Sequence, residues 1–295
     1  MKVLTQPNPK LGFVPIFELT LVGAEEVNAV TWEGNFTVIF RRVPVVDPIK
    51  LLPLVSPEGN NRHHYFRILR NFNHEFEIQF LDSDHLEDEY KKSAMQVVAT
   101  QILLLVSLRS GAVGYCPVLA NHSFRDISKI SRFGLELHSL QALEPRLTSK
   151  NNDVTIEDFN WACRHFDSVQ KLSTQKRFKT AWLAYSSAIL QTHTELSIIV
   201  SWSGIEALFG VNSELTFRTA LLLAKFLSPE RSKQVLTFRA AKRSYSTRSK
   251  IAHGADLGDE GIEVTALEVH IWLRQCLERC IDQGNLPDEE KLLFG

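Results

Sequence analysis

Apolar and polar positions change their spacing along this chain near residue 150. Up to about residue 82 the apolar residues come in short runs between turns, at Phe13 to Val22, Val30 to Arg41, His64 to Leu69 and Glu75 to Leu81, a pattern that predicts short strands. In the last run Phe76, Ile78 and Phe80 alternate with Glu75, Glu77 and Gln79, the period of two expected of a half-buried strand. Leu86 to Arg109 reads as one long helix, acidic in its first turn and stopped before Gly111. Val113 to Val118 and Phe133 to Leu140 are further strand candidates.

Leu147 to Asp153 is polar and turn-prone and reads as a linker, after which the helical period takes over. Thr155 and Asp158 cap a helix to about Ser168, and Ser173 is placed as the cap of the next, whose Phe178, Ala181, Trp182, Tyr185, Ala188 and Ile189 share a face. A third helix, Thr194 to Phe209, is apolar nearly all round and so is expected at the centre, carrying Glu206 with it. Ser213 opens a fourth, with Phe217, Ala220, Leu221, Ala224 and Leu227 as its stripe. Ser228-Pro229 opens a fifth, with proline at the first helical position, and it runs on towards His253. Ile262, Ala266, Val269, Leu273, Cys276 and Cys280 mark the last. The class is α+β: a β-rich domain with one long helix over residues 1–150 and an α-helical domain over 151–295.

Composition adds few constraints. The 295 residues are 44% hydrophobic and 23% charged, ordinary for globular domains, and the net charge of −1 means that any affinity for a polyanion must come from local asymmetry. Cys116, Cys163, Cys276 and Cys280 lack metal-ligand spacing and read as small buried hydrophobes, which suits a reducing cytoplasm. Pro7 and Pro9 precede any apolar run, so no signal peptide is expected. The longest apolar run, Gln101 to Leu108, is too short for a bilayer, so no membrane is expected either. Phosphate-binding glycine loops and nucleophile elbows do not occur, which argues against nucleotide hydrolysis, dinucleotide chemistry and serine hydrolysis.

The asymmetry lies in the fifth helix. From Arg231 to Lys250 there are seven Lys or Arg and no Asp or Glu, whereas Asp256 to Glu290 holds ten acidic residues against Arg274 and Arg279. The basic run is either a solvated face that pairs with the acidic last helix or an RNA groove, with Arg239, Lys242, Arg243 and Lys250 on phosphates and Phe238 and Tyr245 as stacking rings. It ends in Arg248-Ser249-Lys250-Ile251-Ala252-His253-Gly254. Those residue types suit metal-free attack of a ribose 2′-OH on the neighbouring phosphodiester. Histidine moves the proton, and arginine holds the charge that builds on phosphorus with a fork of donors that never deprotonates. Residues five apart lie about 140° apart on a regular helix. Either the helix loosens near His253, where Gly254 reads as its C′ glycine, or two chains share one cleft. Glu206, in an apolar helix, needs a cationic partner, either Arg248 or another arginine of the bundle.

Three linked segments carry a resemblance: Ser201-Trp202-Ser203-Gly204-Ile205-Glu206-Ala207-Leu208-Phe209, then Phe217-Arg218-Thr219-Ala220, then Tyr245 to Gly254. Together, over about the last 140 residues, they resemble the HEPN superfamily and its ApeA-like branch. The resemblance implies an all-α HEPN-type bundle and a metal-independent endoribonuclease, often dimeric, of toxin, stress or phage-defence systems. Its implied partners are RNA, a second copy, and an antitoxin or regulatory protein; no cofactor is implied. Arg248 and His253 would be catalytic, Ser249 would assist by hydrogen bonding, and Glu206 would orient Arg248. Nuclease-active members often carry Asn, Asp or His where this chain has Ser249, which keeps a non-catalytic module that binds RNA, a nucleotide or a protein as the alternative. The β-rich half carries no chemical motif and is expected to sense a signal and restrain the helical half.

Overall fold

The computed structural model describes residues 12–23, 26–32, 36–44, 46–55, 76–81, 88–116, 118–139, 152–211, 213–255 and 261–295. The class is α+β. Residues 1–144 with 149–166 form one compact unit, and 145–148 with 167–295 form the other. The expected strand at His64 to Leu69, and the expected linker as far as residue 151, lie outside the described residues.

The first unit is built on a six-stranded sheet in the order β3-β4-β5-β1-β6-β7, every pair antiparallel, from β1 (Gly12–Ile16), β3 (Glu26–Trp32), β4 (Phe36–Arg42), β5 (Phe76–Leu81), β6 (Val118–Ala120) and β7 (Leu137–Ser139). A second, parallel pair joins β2 (Thr20–Val22) to β8 (Asp153–Thr155). That pairing explains why the chain just beyond residue 152 groups with the sheet. The strand expected over Phe13 to Val22 is therefore two strands. Between them Glu18 takes φ 63°, a left-handed conformation that turns β2 away from the first sheet. The run expected as one strand from Val30 to Arg41 belongs instead to two antiparallel strands, β3 and β4, with Trp32 paired to Phe36. A short helix α1 (Pro48–Leu51) follows, capped by Asp47.

Strand β5 corrects the alternation rule. Ile78 and Phe80 are buried as expected, but so are Glu77 and Gln79 on the other face. Glu77 stays inside because its carboxylate accepts from Ser123 Oγ (2.5 Å), the Phe124 N–H (2.9 Å) and Arg41 Nε (2.9 Å), the last from the residue directly opposite on β4. Burial pushes its carboxyl upward, and those donors pull it back.

Helix α2 (Asp88–Ser110) reaches the sheet at Gly12, where a Cβ would stand 2.6 Å from Met95 Sδ. Its Ser93–Ser110 stretch is longer than the run from Gln101 to Leu108 and, with a mean hydropathy of 1.3, has the length and composition of a membrane span. Half of it is buried inside the protein, including Val98, Ile102, Leu105 and Val106.

Helix α3 (Ile156–Ser173) opens on a capping box, Thr155 N–H and Oγ1 both donating to Asp158 Oδ2 at 2.8 Å. It runs five residues past Ser168, so Ser173 ends this helix, and α4 (Lys176–Ile189) starts from Gln175 without a side-chain cap. All six residues expected on the inner face of α4 are buried. α5 (Thr194–Phe209) has the bounds the apolar run predicts and is buried along Ile198, Ser201, Trp202, Ile205, Leu208 and Phe209. Its end is closed by Gly210 at φ 67°, and Arg177 donates to the carbonyls of Ala207 and Leu208. α6 (Leu215–Leu227) starts two residues after Ser213, and α7 (Arg231–Ala252) two after Pro229, which leaves that proline just outside the helix. α8 (Ile262–Gln283) buries all six residues of its expected stripe, Cys276 and Cys280 among them as free thiols. α9 (Glu289–Phe294) has no counterpart in the sequence pattern and is held by Arg218, 2.6 Å from Glu289.

One position sets how closely the helices of this unit pack. A Cβ on Gly204 of α5 would lie 2.8 Å from Ala184 Cβ of α4 and 2.9 Å from Leu273 Cδ2 of α8. Gly204→Val is therefore expected to cost roughly 1–3 kcal/mol through overpacking, read as a lower denaturant midpoint. A second test concerns His270 of α8, buried and stacked on Tyr185 at 4.9 Å. Burial, reinforced by Arg274, pushes its imidazole down to about 4. The unfolded chain takes up that proton near its ordinary value of about 6.5, so the stabilisation is complete above that pH and is lost as pH falls from there towards 4. His270→Phe should flatten this part of the stability–pH curve, measured by urea denaturation.

Candidate functional site

Two of the three segments that carry the HEPN resemblance meet where α5 packs on α7, while the second, on α6, sets Phe217 against Phe238 and Arg218 against Glu289. Trp202, fully buried, donates from Nε1 to Ser244 Oγ at 3.1 Å and meets the Tyr245 ring edge-on at 5.0 Å. This bond fixes the register of α7 against α5. One turn beyond Trp202 on α5, Glu206 accepts through Oε1 from the Tyr245 hydroxyl at 2.5 Å, and Arg248 Nη2, one turn beyond Ser244 on α7, lies 3.4 Å from Glu206 Oε2. The Arg248 guanidinium also stands over the Tyr245 ring, 5.5 Å from its centroid. Glu206 and Arg248 keep only 20% and 24% of their side chains exposed, so their attraction is less screened than that of a surface pair. The two alternatives for the partner of Glu206 resolve in favour of Arg248, with Tyr245 as a second donor.

The consequence for Arg248 is orientation with capacity left over. A guanidinium has five N–H donors; Glu206 engages Nη2, and Nε is buried with no partner among the described residues. An unmet buried donor costs about 1–3 kcal/mol. Tyr245 remains a phenol throughout the ordinary pH range, pushed up to about 12 by its burial first and by the Glu206 carboxylate next.

His253 sits elsewhere. α7 is regular to Ala252; the His253 N–H reaches Ser249 O at 3.1 Å, and the helix closes with Gly254 N–H to Ile251 O at 2.9 Å and Ala255 N–H to Lys250 O at 3.0 Å. Gly254 takes φ 74°, the left-handed C′ conformation its type suggested. The helix does not loosen ahead of His253. Its imidazole is exposed, and on helical geometry it points about 140° away from Arg248. Ser249 is half-buried beside Arg248, with its carbonyl accepting from His253.

Arg239, Lys242, Arg243 and Lys250 are all exposed and fall within an arc of about 100° on α7, opposite the face that carries Arg248. His253 continues this basic stripe. Arg243 also feels α8, since its charge pulls down the carboxyl of Glu268, which burial raises. Tyr245 differs from the expectation. It is 5% exposed, so its ring braces Arg248 from inside and is not offered to a base. The rings near the stripe are Phe238 and, unforeseen, Phe217 of α6, edge-on at 5.5 Å. Helical spacing assigned Phe217 to the inner stripe, yet it is 49% exposed. Its place in the first turn of α6 was the available signal. No family model, curated protein or solved structure matches the chain.

The Tyr245–Glu206 bond makes an alkaline prediction. The folded phenol ionises higher than its unfolded value of about 10, so this contribution to stability is intact below that pH and is lost as pH rises from 10 towards 12. Spectrophotometric titration should show a late phenolate that Tyr245→Phe removes. Loss of the charge-assisted bond should also cost about 1.5–3 kcal/mol in denaturation.

Proposed function

We propose that the protein is a metal-independent endoribonuclease of HEPN type, working in the cytoplasm as a homodimer within a toxin, stress or phage-defence system. One observation carries the reading: Arg248 is clamped by Glu206 and Tyr245 with Nε unpartnered, on a helix whose other face is basic. In the proposed reaction the ribose 2′-oxygen attacks phosphorus and the 5′-oxygen leaves, giving a 2′,3′-cyclic phosphate and a 5′-hydroxyl. An imidazole removes the 2′-proton, and a protonated imidazole returns one to the leaving oxygen. Arg248 neutralises the charge that builds on the equatorial oxygens, and Ser249 assists by hydrogen bonding.

Arg248 and His253 face different ways on one regular helix, so two copies must pool them. A two-fold pairing of α7 ends would bring two guanidiniums and two imidazoles to one cleft. The sheet unit would act as the sensor that restrains this activity, with an antitoxin or regulatory protein as a further partner. The alternative, a non-catalytic HEPN-type module that binds RNA, a nucleotide or a protein, is favoured by Ser249 and by that same angular separation.

Incubation with mixed RNA in EDTA is expected to yield fragments ending in 2′,3′-cyclic phosphate. His253→Ala should lower the rate about 10²–10⁴-fold and Arg248→Ala about 10²–10³-fold. Mixing the two inactive variants should restore part of the activity, because a mixed dimer regains one guanidinium and one imidazole in a shared cleft. Cleavage that requires Mg²⁺ would refute the mechanism, no restoration would refute the shared site, and RNA binding without cleavage would establish the alternative.

A further inference from the structure

The exposed face of α7 carries more than charge. Phe217 projects from the first turn of α6 onto Phe238 of α7, edge-on at 5.5 Å, and Lys242 Nζ stands over the Phe238 ring at 5.6 Å. Phe217 leaves half its surface in water, and Val235, 41% exposed and one turn before Phe238, extends the apolar ground on the same face of α7. A folded chain does not ordinarily leave an aromatic pair and a valine together at its surface, beside three exposed cations, unless something covers them. Arg239 and Arg243 flank Lys242 within one turn, and α7 has no carboxylate from its first residue to its last. Phe217 also lines a shallow surface depression with Glu214, Leu215 and Thr216.

The chemistry is therefore two-sided. On the α7 side the cations attract a phosphate backbone; on the α6 side Glu214 repels one but can accept a hydrogen bond from the exocyclic amine of a base. Between them lies the half-exposed Phe217 ring. We propose that Phe217 and Phe238 form a stacking platform for an unpaired base, with Lys242, Arg239 and Arg243 holding the adjoining phosphates, so that the substrate is single-stranded RNA. This rests on the ribonuclease reading and adds the class of RNA to it. A duplex keeps its bases stacked on one another and offers no free π-face, whereas a single strand can lay a base on the ring and run its backbone along the stripe. Phe238 precedes Arg248 by ten residues, about 15 Å along the helix axis. The platform thus grips the strand at a distance from the bond to be cut, and Phe217 acts as a positioning and specificity residue.

The test uses the full chain and a labelled single-stranded oligonucleotide of about 12 nucleotides with 2′-O-methyl riboses, which cannot be cut by 2′-oxygen attack, followed by fluorescence anisotropy in EDTA. Phe217 is half exposed, so Phe217→Ala should leave the fold intact, and circular dichroism checks that. Phe217→Ala is expected to raise Kd about 5–100-fold, Phe217→Trp to retain or improve binding, and Phe217→Leu to behave like the alanine variant. Affinity for a duplex of the same sequence should be weaker and unchanged by all three substitutions. Equal binding by the leucine variant, or equal losses for single strand and duplex, overturns the platform. If Phe217→Ala alters the mass in light scattering while leaving RNA affinity untouched, the surface is a protein contact and the proposal fails. Cleavage of RNA that is insensitive to Phe217 would refute this inference and leave the ribonuclease standing; absence of any RNA binding by the wild-type chain would remove both.

Discussion

At Gly204 there is no room for a single methyl group. Ala184 and Leu273 close on that backbone from two sides, so α4, α5 and α8 approach as nearly as helices can. The geometry requires α5 to be apolar all round, because it is buried on more than one face, and its bounds could be read from the sequence for that reason. It also determines what α5 can offer to α7. Trp202 and Glu206 lie one turn apart on α5, and each is matched by a donor or acceptor one turn apart on α7, Ser244 with Tyr245 and then Arg248. The site is a consequence of packing two helices in a single register.

Energetically the cluster is asymmetric in a way that bears on chemistry. A carboxylate taken out of water needs compensation, and Glu206 obtains it from a short phenol bond at 2.5 Å and a longer guanidinium contact at 3.4 Å. The stronger attachment is to Tyr245, which also supplies the ring under the guanidinium. Arg248 is aimed by its neighbours without being saturated by them. A structural ion pair would be expected to use both forks of the arginine; here Nε is left over.

How far the sequence revealed this depends on whether a residue is governed by local period or by a distant partner. The α5 run, the α4 face and the α8 stripe were legible because burial on a helix repeats every 3.6 residues. Gly254 was legible because a C′ position favours glycine. Glu77 was not, since its burial depends on Arg41 and Ser123, 36 and 46 residues away, which supply the donors that make a polar residue tolerable inside a sheet. Tyr245 was misassigned for a related reason. Its neighbours in sequence are basic and exposed, but its own position faces Trp202 and Glu206, and only the angular position on α7 separates it from the stripe. The break between β1 and β2 depends on one backbone torsion at Glu18, which leaves no trace in a hydrophobic pattern.

The two faces of α7 therefore do different work with the same kind of residue. On the inner face a single arginine is partly desolvated, braced by an aromatic ring and tied to one carboxylate. On the outer face Arg239, Lys242, Arg243 and Lys250 remain solvated. Their field extends over roughly a Debye length of about 8 Å in physiological salt. The outer charges attract and orient a polyanion but discriminate weakly, because exposed cations bind any phosphate. The inner arginine is reached by few geometries and contributes little to encounter. In the ribonuclease proposed above, having both on one helix would couple capture to the reacting bond through a rigid rod, and the absence of any acid from Arg231 to Ala252 keeps the two from being neutralised by the helix itself. His253, at the end of the solvated stripe and at the negative end of the helix dipole, is the more exposed group of the pair, and Arg248 keeps about a quarter of its side chain open beside it only through the partly buried face of the same helix end.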